Sequence, residues 1–123
     1  MATTHPISRS VLLVDDHAGF RAQAGRLLAC EGYSVIGEAG DCGTAIERAH
    51  ALVPEIALVD IHLPDGNGFE LAERLCAIAG GPAVILISSR DRAELEPCVS
   101  ESPALGFIPK ADLSRTAIDD LLL

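Results

Sequence analysis

The chain alternates short apolar runs, rich in β-branched residues, with segments that have the composition or the spacing of helices. The apolar runs lie at residues 11–14, 33–38, 56–59, 83–87 and 106–109. Strands and helices in strict alternation favour a parallel sheet that is covered by helices on both faces. The alternation therefore predicts an α/β fold built on a doubly wound, five-stranded parallel sheet.

Capping signals place the beginnings of two predicted helices. Thr44 with Glu47, and Asn67 with Glu70, have the spacing of capping boxes. Helical periodicity, and the glycines and prolines that interrupt it, indicate the remaining boundaries. The predicted helices cover about residues 18–30, 43–52, 67–78 and, near the end of the chain, from 113 onward.

The segment between the fourth and fifth strands is a poor helix. Pro97 lies inside the helical segment 91–102, where it removes a hydrogen-bond donor and clashes with the preceding turn. Pro103 follows closely. We therefore expect this segment to be short or mobile.

Length and hydropathy limit where the protein can reside. A chain of 123 residues fits one domain, and we expect residues 1–9 to be an N-terminal extension of a domain over residues 10–123. Its apolar runs fall well short of the ~20 residues that cross a bilayer. The polar residues 1–10 lack the regions of a secretory signal. These features predict a soluble cytoplasmic protein that does not associate with membranes.

Charge and cysteine content argue against two further classes of protein. A net charge of −9 argues against direct nucleic-acid binding by this chain, because neutralising phosphates requires clustered lysine and arginine. The cysteines form no Cys-x-x-Cys pair, which argues against a disulfide scaffold or a zinc site. We expect the following four residues to be reduced and mostly packed: Cys30, Cys42, Cys76 and Cys98.

Four of the five predicted strands end at polar residues. Asp15 and Asp16 follow the first strand, Asp60 follows the third, Ser88 the fourth and Lys110 the fifth. The carboxyl ends of parallel strands share one edge of the sheet, and ligands bind outside that edge. Three carboxylates there repel one another, by roughly 4 kcal/mol for two charges ~4 Å apart at an effective dielectric constant of 20. A cation or protonation must therefore compensate for their charge.

The residue types at this edge suit phosphoryl chemistry. Carboxylate oxygens favour a hard ion such as Mg²⁺, which binds one or two carboxylates together with water and substrate phosphate. Lys110 adds a positive charge and Ser88 a hydroxyl donor, and both suit an anionic group that arrives on a carboxylate. The pattern therefore predicts phosphoryl transfer at a magnesium-bound aspartate.

Four stretches of the chain resemble the receiver domains of two-component response regulators: VLLVDDH, LVDIHLPDGNGFEL, VILISS and GFIPK. The resemblance extends over almost the whole chain, and the stretches have the order and spacing of that family. It implies a CheY-like, flavodoxin-like (βα)5 fold with strand order 2-1-3-4-5. The last stretch also resembles receivers that are joined to LuxR-type helix-turn-helix domains, which implies a longer regulator.

The resemblance implies a role for each residue of the predicted metal site. Asp60 would accept the phosphoryl group and bind Mg²⁺ or Mn²⁺. Asp16 would bind the metal directly, whereas Asp15 would hold it largely through water. The backbone carbonyl of His62 would complete the ligands from the protein.

The resemblance also implies a conformational switch. Ser88 would bond one phosphoryl oxygen and Lys110 would neutralise another, while Phe107 occupies the position of the aromatic switch residue. Their movement would reshape the surface around the fourth helix, the fifth strand and the fifth helix, through which receivers often form homodimers.

A sensor histidine kinase or a phosphotransfer protein would donate the phosphoryl group, and an unidentified output domain or protein would respond. The domain would catalyse only its own phosphorylation and dephosphorylation. Ala111 stands where the family usually has proline, which leaves the peptide geometry after Lys110 undetermined.

Several alternatives stay open. Asp16 could instead be the N-cap of the first helix, and Phe107 could be an ordinary core residue. His17 and His62 flank the carboxylates and raise a transition-metal site as an alternative, although histidines near loops more often bind no metal. For the whole chain, the alternatives are a docking module that works without phosphorylation and an aspartate-nucleophile phosphohydrolase. The second is disfavoured because His62 stands where those enzymes carry an acid/base aspartate.

Overall fold

Five parallel strands form the central sheet in the order β2-β1-β3-β4-β5. This computed structural model describes residues 9–122. Its sheet contains β1 (Ser10–Val14), β2 (Ser34–Ala39), β3 (Ile56–Asp60), β4 (Ala83–Ser88) and β5 (Gly106–Pro109). The predicted fold class and strand order are confirmed. Most of the predicted N-terminal extension lies outside the described residues, so that boundary stays a prediction.

The connections between the strands are mainly helical. The helices are α1 (Ala18–Cys30), α2 (Cys42–Leu52), α3 (Gly68–Cys76), α4 (Arg92–Leu95), α5 (Cys98–Glu101) and α6 (Arg115–Leu122). The predicted weak helix is therefore two short helices, with a cis peptide bond at Glu96–Pro97 between them. A small antiparallel hairpin pairs His62–Leu63 with Gly66–Asn67, and a 3₁₀ turn covers Lys110–Asp112.

One of the two predicted capping boxes is present in part, with Asn67 as the N-cap but with its side chain, not its backbone amide, bonded to the Glu70 carboxylate. Asn67 accepts a 2.9 Å hydrogen bond from the Glu70 amide and donates one to the Glu70 carboxylate. The box at Thr44 was wrong, because α2 begins earlier and Asp41 is its N-cap. The Asp41 carboxylate accepts a 2.7 Å hydrogen bond from the Thr44 amide. The third helix ends at Cys76, two residues before the predicted boundary.

Each face of the sheet carries its own apolar layer. Successive residues of a strand point to opposite faces, so Leu12 and Val14 contribute to one layer and Val11 and Leu13 to the other. Helices α2 to α5 cover the first layer, and α1 and α6 cover the second. All five residues of β3 are buried, which fixes the position of Asp60 at the end of that strand.

The cysteines are free, but they are not mostly packed. Three of the four thiol residues are exposed and Cys42 is partly buried. The prediction of packing was wrong because each cysteine is the first or the last residue of a helix, where less of the chain surrounds it. Within residues 9–122, none of the helices has the length and apolarity needed to cross a bilayer.

Candidate functional site

The carboxyl edge of the sheet brings together residues that follow three different strands. The Lys110 ammonium lies 2.6 Å from Asp15 Oδ2 and 3.3 Å from Asp60 Oδ2. Asp15 follows β1, Asp60 ends β3 and Lys110 follows β5, so these contacts depend on the order of the strands. The convergence that the sequence predicts is therefore present for these three side chains.

Asp15 is held by contacts on both its backbone and its side chain. Its amide donates to the carbonyl of Ala39 on β2, and its Oδ1 accepts a 2.8 Å hydrogen bond from the His17 amide. The Arg21 guanidinium donates to the Asp15 carbonyl and, at 2.9 Å, to the Glu38 carboxylate. Arg21 thereby ties the β1–α1 loop to β2. Sequence reasoning missed this residue, for which the only signal was an arginine in the second turn of α1.

The other oxygen of Asp15 has an unusual environment. Asp15 is 1% exposed. Its Oδ2 lies 2.6 Å from the Lys110 ammonium and has no other donor among residues 9–122. Lys110 brings one positive charge to the three carboxylates of Asp15, Asp16 and Asp60, and the negative charge that remains favours a further cation. The residues present therefore fit a divalent ion.

A group of four side chains could bind such an ion. Asp15, Asp16, His17 and Asp60 each present a ligand atom, and these atoms lie within 4.8 Å of one another. The carboxylate of Asp16 is 40% exposed, and its Oδ1 lies 3.1 Å from His17 Nδ1. The alternative that Asp16 caps α1 was wrong, because the helix begins one residue later and His17 occupies the N-cap position. The Asp16 carboxylate is therefore available at the site.

Asp60 is a buried acid beside a second acid. It is 4% exposed, and its Oδ1 accepts a 3.2 Å hydrogen bond from the His62 amide. Burial raises the pKa of Asp60 and the charge of Asp15 raises it further, while Lys110 opposes both without cancelling them. A bound divalent ion would act in the opposite direction and favour the carboxylate.

Lys110 is a cation held among three partners. Burial alone would lower the pKa of Lys110, but the contact with Asp15 and the charges of Asp60 and Asp15 raise it overall. The ammonium also lies 4.5 Å from the centre of the Phe20 ring, which is within the range of cation–π attraction. Phe20 lies in α1, and the apolar periodicity of that helix contains no signal of this contact.

The first turn of α3 lies directly against the backbone of Asp60. A Cβ atom at Gly68 would lie 2.6 Å from the Asp60 carbonyl oxygen and 2.7 Å from Ile61 Cα. The Gly68 amide also donates a 2.7 Å hydrogen bond to the Ile61 carbonyl. Only glycine permits this approach, so Gly68 positions Asp60. The sequence signal was a glycine at the first position of a helix, which we did not assign to the site.

The hairpin that follows Asp60 is attached to α2. Both oxygens of Asp65 accept amide hydrogen bonds from the start of that helix, at 2.7 Å from Cys42 and 3.1 Å from Gly43. These bonds lower the pKa of Asp65, and a negative charge at a helix N-terminus is favourable. The contact links the loop after Asp60 to the helix that connects β2 with β3.

Of the remaining predicted residues, His62 contacts this cluster only through its amide, and Ser88 and Phe107 make none of these contacts. Ser88 is fully buried at the end of β4, and its hydroxyl accepts a 3.0 Å hydrogen bond from the Arg90 amide. Phe107 is buried in the apolar layer that α4 and α5 cover. The side chain of His62 is exposed, and its backbone lies in the hairpin.

Alanine in place of proline after Lys110 does not displace the lysine. Lys110 begins a 3₁₀ turn. Among the described residues the only cis peptide bond precedes Pro97, so the bond between Lys110 and Ala111 is trans. The ammonium still reaches both Asp15 and Asp60.

A parallel sheet of this order, with two buried aspartates and a lysine at its carboxyl edge, defines the receiver class of signalling domains. The sequence matches the family model of the response regulator receiver domain over residues 11–119. This chain therefore belongs to the response regulator receiver domain family and is a signalling switch.

Individual relatives agree with this assignment. The DNA-binding transcriptional activator DevR/DosR of Mycobacterium tuberculosis is 35% identical over 103 residues, which cover 81% of this chain and 46% of that protein. The transcriptional regulatory protein PdtaR of the same species is 33% identical over 90 residues, which cover 72% of this chain and 44% of the relative. The chain spans about half the length of the curated relatives it matches.

Solved structures show the same fold. The signal receiver domain of NarL from Mycobacterium tuberculosis has a TM-score of 0.83 and 28% identity, with coverage of 95% of this chain and 98% of that one. A two-component response regulator of the LuxR family from Aurantimonas sp. SI85-9A1 has a TM-score of 0.82 and 25% identity, with coverage of 94% and 86%.

Proposed function

We propose that this receiver domain accepts a phosphoryl group on Asp60 in a reaction that requires Mg²⁺ or Mn²⁺, and that the modified surface controls an output. One observation carries the proposal: the Lys110 ammonium lies between the carboxylates of Asp15 and Asp60. That position brings a cation to the carboxylate that would receive an anionic group.

The side chains at the edge would divide the work of phosphoryl transfer. An Asp60 oxygen attacks phosphorus and forms the new P–O bond, while the bond from phosphorus to the donor imidazole nitrogen breaks and that nitrogen keeps the electron pair. Lys110 neutralises one phosphoryl oxygen, and the Ser88 hydroxyl donates a hydrogen bond to another.

The residues that would hold the metal are Asp15, Asp16, Asp60 and the backbone carbonyl of His62. When bound, the ion supplies charge neutralisation for the phosphoryl oxygens. The negative charge that remains after Lys110 pairs with Asp15 and Asp60 supports this assignment. Asp16 adds an exposed carboxylate through which an ion can enter from solvent.

The proposed output uses the face formed by α4, α5, β5 and α6. Ser88 moves toward the phosphoryl group, and Phe107 turns into the vacated space. Changing such an element from about 1% to 99% occupancy of its active form needs about 5.5 kcal/mol of differential stabilisation. Whether this face also forms a homodimer stays a prediction.

The partners of the domain are also proposals. A sensor histidine kinase or a phosphotransfer protein would supply the phosphoryl group in the cytoplasm. Relatives described as transcriptional regulators are about twice as long as this chain, which supports an output domain outside it. With a net charge of −9, this chain would not itself bind nucleic acid.

Intact mass spectrometry tests the proposal directly. The purified domain is incubated with a small acyl-phosphate donor, with Mg²⁺ or with a chelator, beside Asp60→Ala and Asp65→Ala variants. We expect one phosphoryl adduct that requires Mg²⁺, is lost in Asp60→Ala and persists in Asp65→Ala, whose side chain caps α2 instead. An unmodified but folded domain would contradict the proposal and favour the docking module that works without phosphorylation.

A further inference from the structure

His17 lies at the metal site but has no role in the proposed phosphoryl transfer. Its Nδ1 atom lies 3.1 Å from Asp16 Oδ1 and 3.4 Å from Asp15 Oδ1. The side chain is 73% exposed, so packing does not force it into this position. The imidazole nitrogen therefore faces the same space as the carboxylates.

These separations suit neighbouring ligands of one ion. Two ligand atoms that each lie about 2.1 Å from a metal are roughly 3.0 Å apart in octahedral and roughly 3.4 Å apart in tetrahedral coordination. The distances from His17 Nδ1 to the two carboxylates lie within that interval. The imidazole therefore lies at ligand-to-ligand distance from both of these carboxylates.

The two oxygens of Asp15 have different neighbours, so the Lys110 ammonium lies apart from the space between the His17 imidazole and the carboxylates. Oδ2 lies beside Lys110, whereas Oδ1 lies beside His17. Lys110 therefore does not occupy the position between the imidazole and the carboxylates. The three carboxylates of the cluster carry more negative charge than Lys110 neutralises, which favours a cation here.

We propose that His17 is a nitrogen ligand of the divalent ion at this site and shifts its selectivity toward borderline transition ions such as Co²⁺ and Zn²⁺. Imidazole binds such ions well, whereas Mg²⁺ prefers oxygen ligands. The inference rests on the metal site of the proposed function, to which it adds a ligand and a preference among metals.

Competitive binding measurements test the selectivity. Mg²⁺ and Co²⁺ affinities are measured by titration calorimetry for the wild-type protein and for His17→Ala, and the visible absorption of bound Co²⁺ reports nitrogen coordination. We expect the ratio of Co²⁺ to Mg²⁺ affinity to fall by about tenfold or more in His17→Ala, with a changed Co²⁺ spectrum. Because the side chain is largely exposed, the variant should keep its fold, which circular dichroism can verify.

Two control variants distinguish metal ligation by His17 from adventitious binding and from loss of the whole metal site. His50→Ala removes an exposed imidazole on α2 and should leave the ratio unchanged, whereas an equal fall would indicate adventitious binding and overturn the inference. A protonated His17 that only pairs with the carboxylates would repel a metal, so unchanged or higher Co²⁺ affinity in His17→Ala also overturns it. If Asp16→Ala leaves the binding of both ions intact, or the wild-type protein binds neither, the proposed metal site itself fails.

Discussion

Helix α3 and the α4–α5 segment flank the same strand, β4, but they are held very differently. Helix α3 has an N-cap with reciprocal hydrogen bonds and buries four of its nine residues: Gly68, Leu71, Ala72 and Leu75. Helices α4 and α5 are four residues long, and each buries a single residue, Leu95 or Val99. Within the described chain, the N-cap residues of the two short helices make no side-chain capping hydrogen bond. In α5 the Glu96 carboxylate accepts one from the Ser100 amide instead.

The difference indicates how rigidity is distributed around the site. Helix α3 contacts the Asp60 backbone, so its burial and its cap keep the proposed phosphoacceptor in place. The α4–α5 segment follows Ser88 and lies where the proposed switch would act. Segments with few buried apolar residues open at low free-energy cost. One small domain can therefore combine a rigid α3 beside the proposed phosphoacceptor with a weakly held α4–α5 segment where the proposed switch would act.

The largest single effect is expected from one of two leucine truncations. Leu71→Ala should lower the free energy of unfolding by about 3 kcal/mol, because it leaves a cavity among packed helix and strand residues. Leu95→Ala should cost only about 1 kcal/mol, because its four-residue helix can collapse onto the space. Urea denaturation, monitored by circular dichroism, measures the free energy of unfolding of both variants. Equal losses would contradict the proposed contrast in rigidity.

A smaller effect is expected from methyl groups added at two glycines. Gly68→Ala should destabilise the fold by about 2 kcal/mol, because the new Cβ meets the Asp60 backbone, which cannot move freely. Gly25→Ala, within α1, meets open space among the described atoms and should stabilise by about 0.5 to 1 kcal/mol.

Thermal unfolding of the two glycine variants measures these opposite signs. The rate of Asp60 phosphorylation by a small donor should also fall in Gly68→Ala, since the backbone of the acceptor is displaced. A stable Gly68→Ala variant with an unchanged rate would show that α3 does not position the acceptor.

The smallest expected effects come from two exposed carboxylates and depend on pH. Amide donors from Cys42 and Gly43 lower the pKa of Asp65, and bonds from Ser100 lower that of Glu96. A lowered folded-state pKa gives stability that is present above the unfolded pKa of about 4 and is lost as the pH falls through the folded value.

Replacing Asp65 with Asn and Glu96 with Gln measures how much each carboxylate contributes to stability. Asp65→Asn should destabilise the protein near pH 6, and its difference from the wild type should shrink as the pH falls toward about 3. Glu96→Gln should also destabilise the protein near pH 6, but by a smaller amount, because the Glu96 carboxylate forms its bonds within the weakly held α4–α5 segment. Denaturation series across this pH range measure both differences. A larger effect for Glu96→Gln would show that the α4–α5 segment is held more firmly than its burial indicates.

Local patterns in the sequence predicted many of the elements and part of the site. The apolar runs and the Asn67–Glu70 box placed strands and the start of α3, because these features depend on neighbouring residues. They failed at α2, where Thr44 and Glu47 had the spacing of a box but Asp41 supplied the cap. Several side chains compete for the same amides there, and their spacing does not reveal which one binds.

The sequence by itself determined that Asp15, Asp60 and Lys110 would share one edge, since parallel strands with alternating helices leave their carboxyl ends together. Only the tertiary structure decided how they contact one another. Lys110 meets a carboxylate 50 residues away, and Asp65 caps a helix that begins 23 residues before it. Such contacts depend on how helices and loops pack against the sheet, which no short-range periodicity encodes.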